Sequence, residues 1–289
     1  SALALTASSG SSGQSYRLLS ESTGSTELDN LMTGSGWAKA DGNYGNSSDV
    51  YLTYSFGDTT SSYSYVTNAG HAELSSISAT GRDSIRGALN QVEKFTNLNF
   101  IEVEDTSSTF GDIRFSEASA MALEGSLGLG FFPGYGSKYP SNSYNDMNGD
   151  VFLADNLDTQ YGTPGSLSNY IVMHEIGHAL GLAHPFHAGD MNPAFHSTNC
   201  ACPTCSADNE FVLGSNNTQG SSARDSSVYT VMSYGFSQNG NGRMIESDPI
   251  SSTYMVDDVR ALQHLYGTDT SFSDGNNIYD YSFFAPDNG

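Results

Sequence analysis

An α/β fold built on a twisted, mostly parallel sheet is what this sequence predicts, and three observations predict it. A helical pattern lies between strand patterns in the first half. A histidine-bearing helical segment then runs up to Gly181. An amphipathic helical pattern closes at Gly267. Residues 50–56 alternate as a strand. Residues 80–97 read as a helix, with Ile85, Leu89, Val92 and Phe95 on one face. Residues 98–104 and 112–115 read as strands. A helix between strands implies a right-handed crossover and parallel pairing.

Residues 125–132 interleave glycines with apolar side chains and read as a weak strand or a loop. Residues 137–148 are polar and turn-rich, a surface loop, and 149–155 form a further strand. Ser166 or Ser168 is placed to cap the next helix, which runs to about residue 182. Little regular signal follows until residues 253–265. There Met255, Val259, Leu262 and Leu265 mark an amphipathic helix with Gly267 as its C-cap.

The chemistry concentrates in residues 174–184, which read H-E-x-x-H-x-x-G-x-x-H. Three of the chain's 7 histidines stand here. His174 and His178 are four residues apart, so on a helix both imidazoles leave the same face. A zinc ion about 2.0–2.1 Å from each nitrogen bridges such a pair. Gly181 tolerates a positive φ, which lets the helix stop and the chain turn. That turn brings His184 back as a third ligand. Three protein ligands leave a coordination position open, the mark of a catalytic zinc site. Glu175 adjoins His174 and is placed to take a proton from a zinc-activated water, as a general base. A bare HExxH occurs by chance in unrelated helices, but the added glycine and third histidine make the full pattern far harder to reach that way.

Downstream, residues 231–234 read Val-Met-Ser-Tyr. A methionine in an apolar run is most often core filler. Placed after the long histidine motif, Met232 instead completes the metzincin signature, a methionine turn beneath the three histidines. With Pro185 directly after the third histidine, the chain resembles the serralysins, bacterial zinc proteases secreted by the RTX route. Similarity extends loosely over roughly residues 27–267.

The resemblance implies a metzincin catalytic domain: a mostly parallel sheet with one antiparallel edge strand, an active-site helix, a methionine turn and a C-terminal helix. It implies a secreted, extracellular zinc endopeptidase acting on extended protein or peptide substrates. It gives Tyr234 the role of a further zinc ligand that swings away and steadies the oxyanion. It also places Leu127, Gly128 and Leu129 on the edge strand that holds the substrate backbone. Astacins also use such a tyrosine, but they carry Glu where this chain has Pro185. A non-proteolytic or inhibited module of the same fold is the alternative, against which the intact set of His174, Glu175, His178 and His184 speaks.

Two departures stand out. Residues 186–226 form a long insertion that carries Cys200, Cys202 and Cys205, and serralysins generally lack cysteines. The calcium-binding nonapeptide repeats of the family's C-terminal roll are absent from residues 1–289. An extracellular setting favours one local disulfide, Cys200–Cys205 ahead of Cys202–Cys205. The sharper alternative is a second metal site with His187 or His196.

The chain has 289 residues and a formal net charge of −22. Such a surface repels phosphate backbones, which argues against nucleic-acid partners. Solubility is the plain explanation of the charge, and surface calcium sites are compatible with it. No apolar run approaches the ~20 residues that span a bilayer, so no membrane partner is expected. The expected organisation is a loose N-terminal segment or pro-segment remnant (1–24), one monomeric catalytic domain (25–270), and a linker or the start of a further region (271–289).

Overall fold

The strand pattern at Val50–Phe56 forms the second strand of a mixed sheet in a computed structural model. That structure describes residues 15–18, 23–38, 50–57, 74–106, 109–119, 126–134, 147–185, 224–234 and 250–270. In chain order the elements are β1 (Ser15–Leu18), α1 (Thr26–Asn30), β2 (Ser35–Ala38), β3 (Val50–Phe56), β4 (Leu74–Ser75), α2 (Ala79–Glu93), β5 (Leu98–Glu102), β6 (Ile113–Ala118), β7 (Gly128–Gly130) and β8 (Val151–Ala154). A 3-10 helix (Asp155–Gln160), α3 (Leu167–Ala179) and α4 (Val256–Tyr266) follow.

The main sheet runs β5-β3-β6-β8-β7. β3 pairs in parallel with β5 and β6, β6 pairs in parallel with β8, and β7 runs antiparallel along β8. This is the mostly parallel sheet that the sequence pattern predicts, with the antiparallel edge that the resemblance implies. One pairing was not foreseen: β4, two residues long, lies antiparallel on the end of β6. Its signal is too short for any periodicity to show. β1 and β2 form a separate antiparallel pair, so Ser15–Leu18, inside the stretch expected to be loose, is held in register with Ser35–Ala38.

The central strands are buried on both faces, as parallel strands under helices must be. All six residues of β6 and all four of β8 are buried. Helix α2 covers the sheet with Ile85, Ala88, Leu89 and Val92, while Phe95 packs at the margin of that core. It starts at the Ser78 cap, whose hydroxyl accepts from the Gly81 N–H. It ends at Glu93, short of residue 97. The amides of Lys94 and Phe95 bond three residues back, and the Thr96 hydroxyl donates to the Val92 carbonyl at 2.8 Å, which tightens and closes the last turn. β8 likewise starts later than residue 149, because Gly149 sits at φ +80°. A side chain there would be strained, and its Cβ would stand 2.6 Å from the Asp112 carbonyl oxygen.

Helix α3 carries the histidine motif and is buried almost all round, from Tyr170 through Gly177. Between the two candidate caps the structure chooses Ser166, whose hydroxyl accepts from Asn169 N–H. Ser168 instead donates to the Leu157 carbonyl at 2.7 Å.

The last carbonyls of a helix have no partner within it. Here distant elements supply them. The Trp37 indole donates to Ala179 at 2.8 Å, and the Tyr266 hydroxyl donates to Leu180 at 2.7 Å. Both the amide and the hydroxyl of Thr33 donate to the Gly181 carbonyl. Gly181 takes φ +98°, and a Cβ on it would collide with the Ser35 carbonyl oxygen. The end of the helix is therefore clamped by β2 and α4 at the point where the chain turns toward His184.

Candidate metal centre

His174 and His178 stand four positions apart on the helix, and their rings leave one face with centroids 4.8 Å apart. The turn at Gly181 returns His184, whose Nε2 lies 3.1 Å from Nε2 of His174 and 3.0 Å from Nε2 of His178. Among the described residues these three histidines form a cluster with metal-binding geometry. Tetrahedral zinc with bonds of about 2.05 Å sets its ligand nitrogens about 3.3 Å apart, so the spacing fits.

The donor set tests the fit further. Nδ1 of His174 lies 2.7 Å from the Val231 carbonyl, and Nδ1 of His178 lies 2.8 Å from the Leu182 carbonyl. A carbonyl only accepts, so each Nδ1 carries the proton and each Nε2 presents a lone pair inward. Lone pairs converging at this distance repel unless a cation lies between them. Burial, with a contribution from neighbouring His178, holds the His174 pKa down at about 3. Its neutral form, the one that ligates, is therefore the resting form.

Tyr234 reaches the same point, with its hydroxyl 2.7 Å from Nε2 of His184. Its ring stacks on His174 at 5.6 Å. Burial, and then the charge of Glu175, push this phenol well above its ordinary pKa. Met232 is fully buried beneath the helix. A Cβ on Gly177 would stand 2.5 Å from its sulfur, so a glycine beside His178 is what lets the methionine turn approach.

Glu175 is 2% exposed, and burial raises its carboxyl to about 8 against an opposing hydrogen bond from the Gly130 amide. β7 lies directly over it. A Cβ on Gly128 would stand 2.6 Å from Cγ of Glu175, and one on Gly130 would stand 2.5 Å from its carbonyl oxygen. The interleaved glycines of residues 125–132 therefore have a packing reason. The Leu127 carbonyl accepts from the Ala154 amide, so the main chain of Leu127 faces β8. By strand alternation Leu129 faces β8 as well, and Gly128 turns its N–H and C=O to the open side.

Several contributors carry no signal of their own in the sequence. The Val231 and Leu182 carbonyls are backbone groups of ordinary residues. The Gly130 amide lies one residue beyond Leu129, the last of the residues expected to hold substrate. Asp258 could be read only as an acidic residue in the first turn of a helix. In the fold its carboxylate accepts from the Thr230 hydroxyl at 2.5 Å, the Val231 amide at 2.9 Å and the Met255 amide at 2.8 Å. It thus ties the methionine turn to α4. Beside it, Arg224 forms a two-bonded ion pair with Asp257. Cys200, Cys205, the alternative metal ligands His187 and His196, and the greater part of the 137–148 loop lie outside the described residues. The described residues show no second metal-like cluster that would speak for calcium.

Burial raises the Asp258 carboxyl from its ordinary value near 3.8 to about 7, with Asp257 adding to the shift. Between those two values the folded chain holds a proton that the unfolded chain has released. Its contribution to stability is therefore fullest below about pH 4 and is lost as pH rises toward 7. Asp258→Asn keeps an oxygen for the two amides and removes the titration. The Tm difference between the parent and this variant is expected to shift in the variant's favour between pH 4 and 7. A difference that stays flat across that window would refute the assignment.

A sheet with one antiparallel edge over a buried H-E-x-x-H helix, a third histidine past a glycine turn and a methionine turn below define a metzincin metallopeptidase domain. A family model described as matrixin matches residues 56–209, and the chain belongs to that family. Its relatives are of the serralysin type. It is 27% identical over 259 residues to metallopeptidase AprA of Pseudomonas marginalis, which covers 87% of this chain and 46% of that protein. It is 24% identical over 241 residues to a serralysin of Proteus mirabilis, covering 80% of this chain and 43% of the relative. Serralysin B of Dickeya chrysanthemi is 26% identical over 236 residues, with 80% and 42% covered. The chain thus spans less than half the length of these relatives.

Proposed function

We propose that this chain is the catalytic domain of a secreted zinc endopeptidase that cleaves extended protein substrates. The observation that carries the reading is the convergence of three imidazole Nε2 atoms beside a buried glutamate, under the open edge of β7. His174, His178 and His184 would hold the zinc, with the Tyr234 phenol as a further ligand. When bound, zinc supplies Lewis acidity, lowering the pKa of water from 15.7 toward 7 and polarising a carbonyl.

The remaining work belongs to side chains and backbone. An extended peptide pairs with the outward N–H and C=O of Gly128, as an added strand. That pairing lays the scissile carbonyl beside Glu175. Glu175 accepts the proton of the attacking water and returns it to the leaving amine. The Gly130 amide holds the carboxylate in place while it does so. The Tyr234 hydroxyl donates to the oxyanion as charge develops on the carbonyl oxygen. Burial of the whole constellation strengthens each of these interactions. No helix among the described residues is long and apolar enough to cross a membrane.

The test is metal content by elemental analysis beside a casein-hydrolysis assay, with and without a zinc chelator. About one zinc per chain is expected. Cleavage should stop with the chelator and return when zinc is restored. Zinc binding without cleavage would replace this reading with that of an inhibited or repurposed module.

A further inference from the structure

Helix α3 grips the methionine turn at two places, one turn of helix apart. Nδ1 of His174 donates to the Val231 carbonyl at 2.7 Å, and the Tyr170 hydroxyl donates to the Ser233 carbonyl at 2.7 Å. Donors at positions i and i+4, on one face of the helix, thus take two carbonyls of the methionine turn, those of Val231 and Ser233. Ser233 is held a second time. Its hydroxyl donates to the Asp225 carboxylate at 2.5 Å. Ser233 itself is fully buried, Tyr170 is 1% exposed and Asp225 is 6% exposed, so neither bond competes with water.

The next residue is Tyr234, whose hydroxyl stands at the metal point. Resting on the endopeptidase reading above, we propose that Tyr170 is a positioning residue for Tyr234. With Asp225 it fixes Ser233 as the pivot from which the Tyr234 phenol reaches the metal and the oxyanion. Tyr170 does not itself reach the reacting atoms, because its hydroxyl is engaged by the Ser233 carbonyl. Without that bond, the main chain just before Tyr234 gains freedom, and the phenol no longer stands ready at the point where charge develops. A group displaced by about 1 Å in this way costs up to about 100-fold in rate.

Three variants of the full chain test this: Tyr170→Phe, Tyr234→Phe and the double variant. The first readout is the copper(II)-substituted protein. A phenolate ligand gives copper(II) a visible charge-transfer absorption that an all-imidazole site lacks. The parent should show it, Tyr234→Phe should lose it, and Tyr170→Phe should weaken or shift it. The second readout is turnover of the zinc protein. Tyr234→Phe should lower kcat by about 100-fold, as loss of one oxyanion donor does. Tyr170→Phe should lower kcat by about 10-fold with KM within about twofold, and should add little in the Tyr234→Phe background.

An unchanged copper absorption and kcat in Tyr170→Phe would overturn the proposal. So would an equal cost of Tyr170→Phe with and without the Tyr234 hydroxyl, which is the mark of a purely structural role. If Tyr234→Phe leaves both readouts at the parental level, the role of Tyr234 fails and this inference fails with it. Absence of casein cleavage by the parent itself would instead overturn the endopeptidase reading, and the copper absorption would then decide whether Tyr170 positions Tyr234. Should Tyr170→Phe not fold, Ser233→Ala removes only the Asp225 hold. It is expected to give the same spectral change to a smaller degree, and an unaltered spectrum there would also overturn the proposal.

Discussion

Glu175→Gln is expected to keep its zinc and to lose casein turnover by about 1,000-fold, within the range that a positioned general base contributes. The side chain is 2% exposed and lies under β7, where a Cβ on Gly128 would stand 2.7 Å from its Oε1. Glutamine has the same shape and keeps an oxygen to accept from the Gly130 amide, so packing and the histidines are undisturbed. What it removes is the capacity to accept and return a proton. Elemental analysis and kcat, measured on one preparation, check the prediction. A variant with parental kcat would remove Glu175 from the mechanism, whereas loss of zinc as well would show that the carboxylate serves the fold.

Gly130→Ala is expected to lower kcat/KM by about 100-fold while metal content stays at the parental level. The added Cβ would stand 2.5 Å from the Glu175 carbonyl oxygen, 3.2 Å from its carbonyl carbon and 3.0 Å from Cβ of His178. These atoms belong to the backbone of α3 or sit directly on it, so they cannot swing aside. The strand must move off the helix instead, and overpacking of this kind typically costs 1–3 kcal/mol. The displacement takes the Gly130 amide away from Glu175 and misaligns the open edge proposed to bind substrate. The proposed zinc ligands lie on α3, on the turn after it and at Tyr234, so none is carried by β7. Kinetics on a peptide substrate, beside zinc analysis and a Tm, separate the effects. Parental kcat/KM would mean that the close approach of β7 has no part in turnover.

The two glycines show how far the sequence can be read. Their alternation with apolar residues in 125–132 is visible, but the same pattern fits a weak strand. Only the packing of β7 on Glu175 shows that a side chain would not fit. The edges of elements follow the same rule. Helix α2 stops at Glu93 because the Thr96 hydroxyl and two short-range amide bonds close it, a local competition that apolar spacing does not report. The choice of Ser166 over Ser168 as cap rests on where the Leu157 carbonyl lies.

Residue spacing alone pointed to His174, His178 and His184 as the proposed zinc ligands, to the glutamate beside them as the proposed base, and to the α/β class. Those features are local: four residues of helix fix a shared face, and a glycine fixes a turn. The tertiary structure alone decided what holds these groups in place. The Val231 and Leu182 carbonyls choose the histidine tautomers, Asp258 binds the methionine turn to the last helix, and Tyr170 with Asp225 holds Ser233. Three of these five contacts join residues 27 to 63 positions apart, and four of the five use a backbone atom, which every residue shares. Spacing along the sequence therefore carries no trace of them, and only the folded path of the chain brings them together.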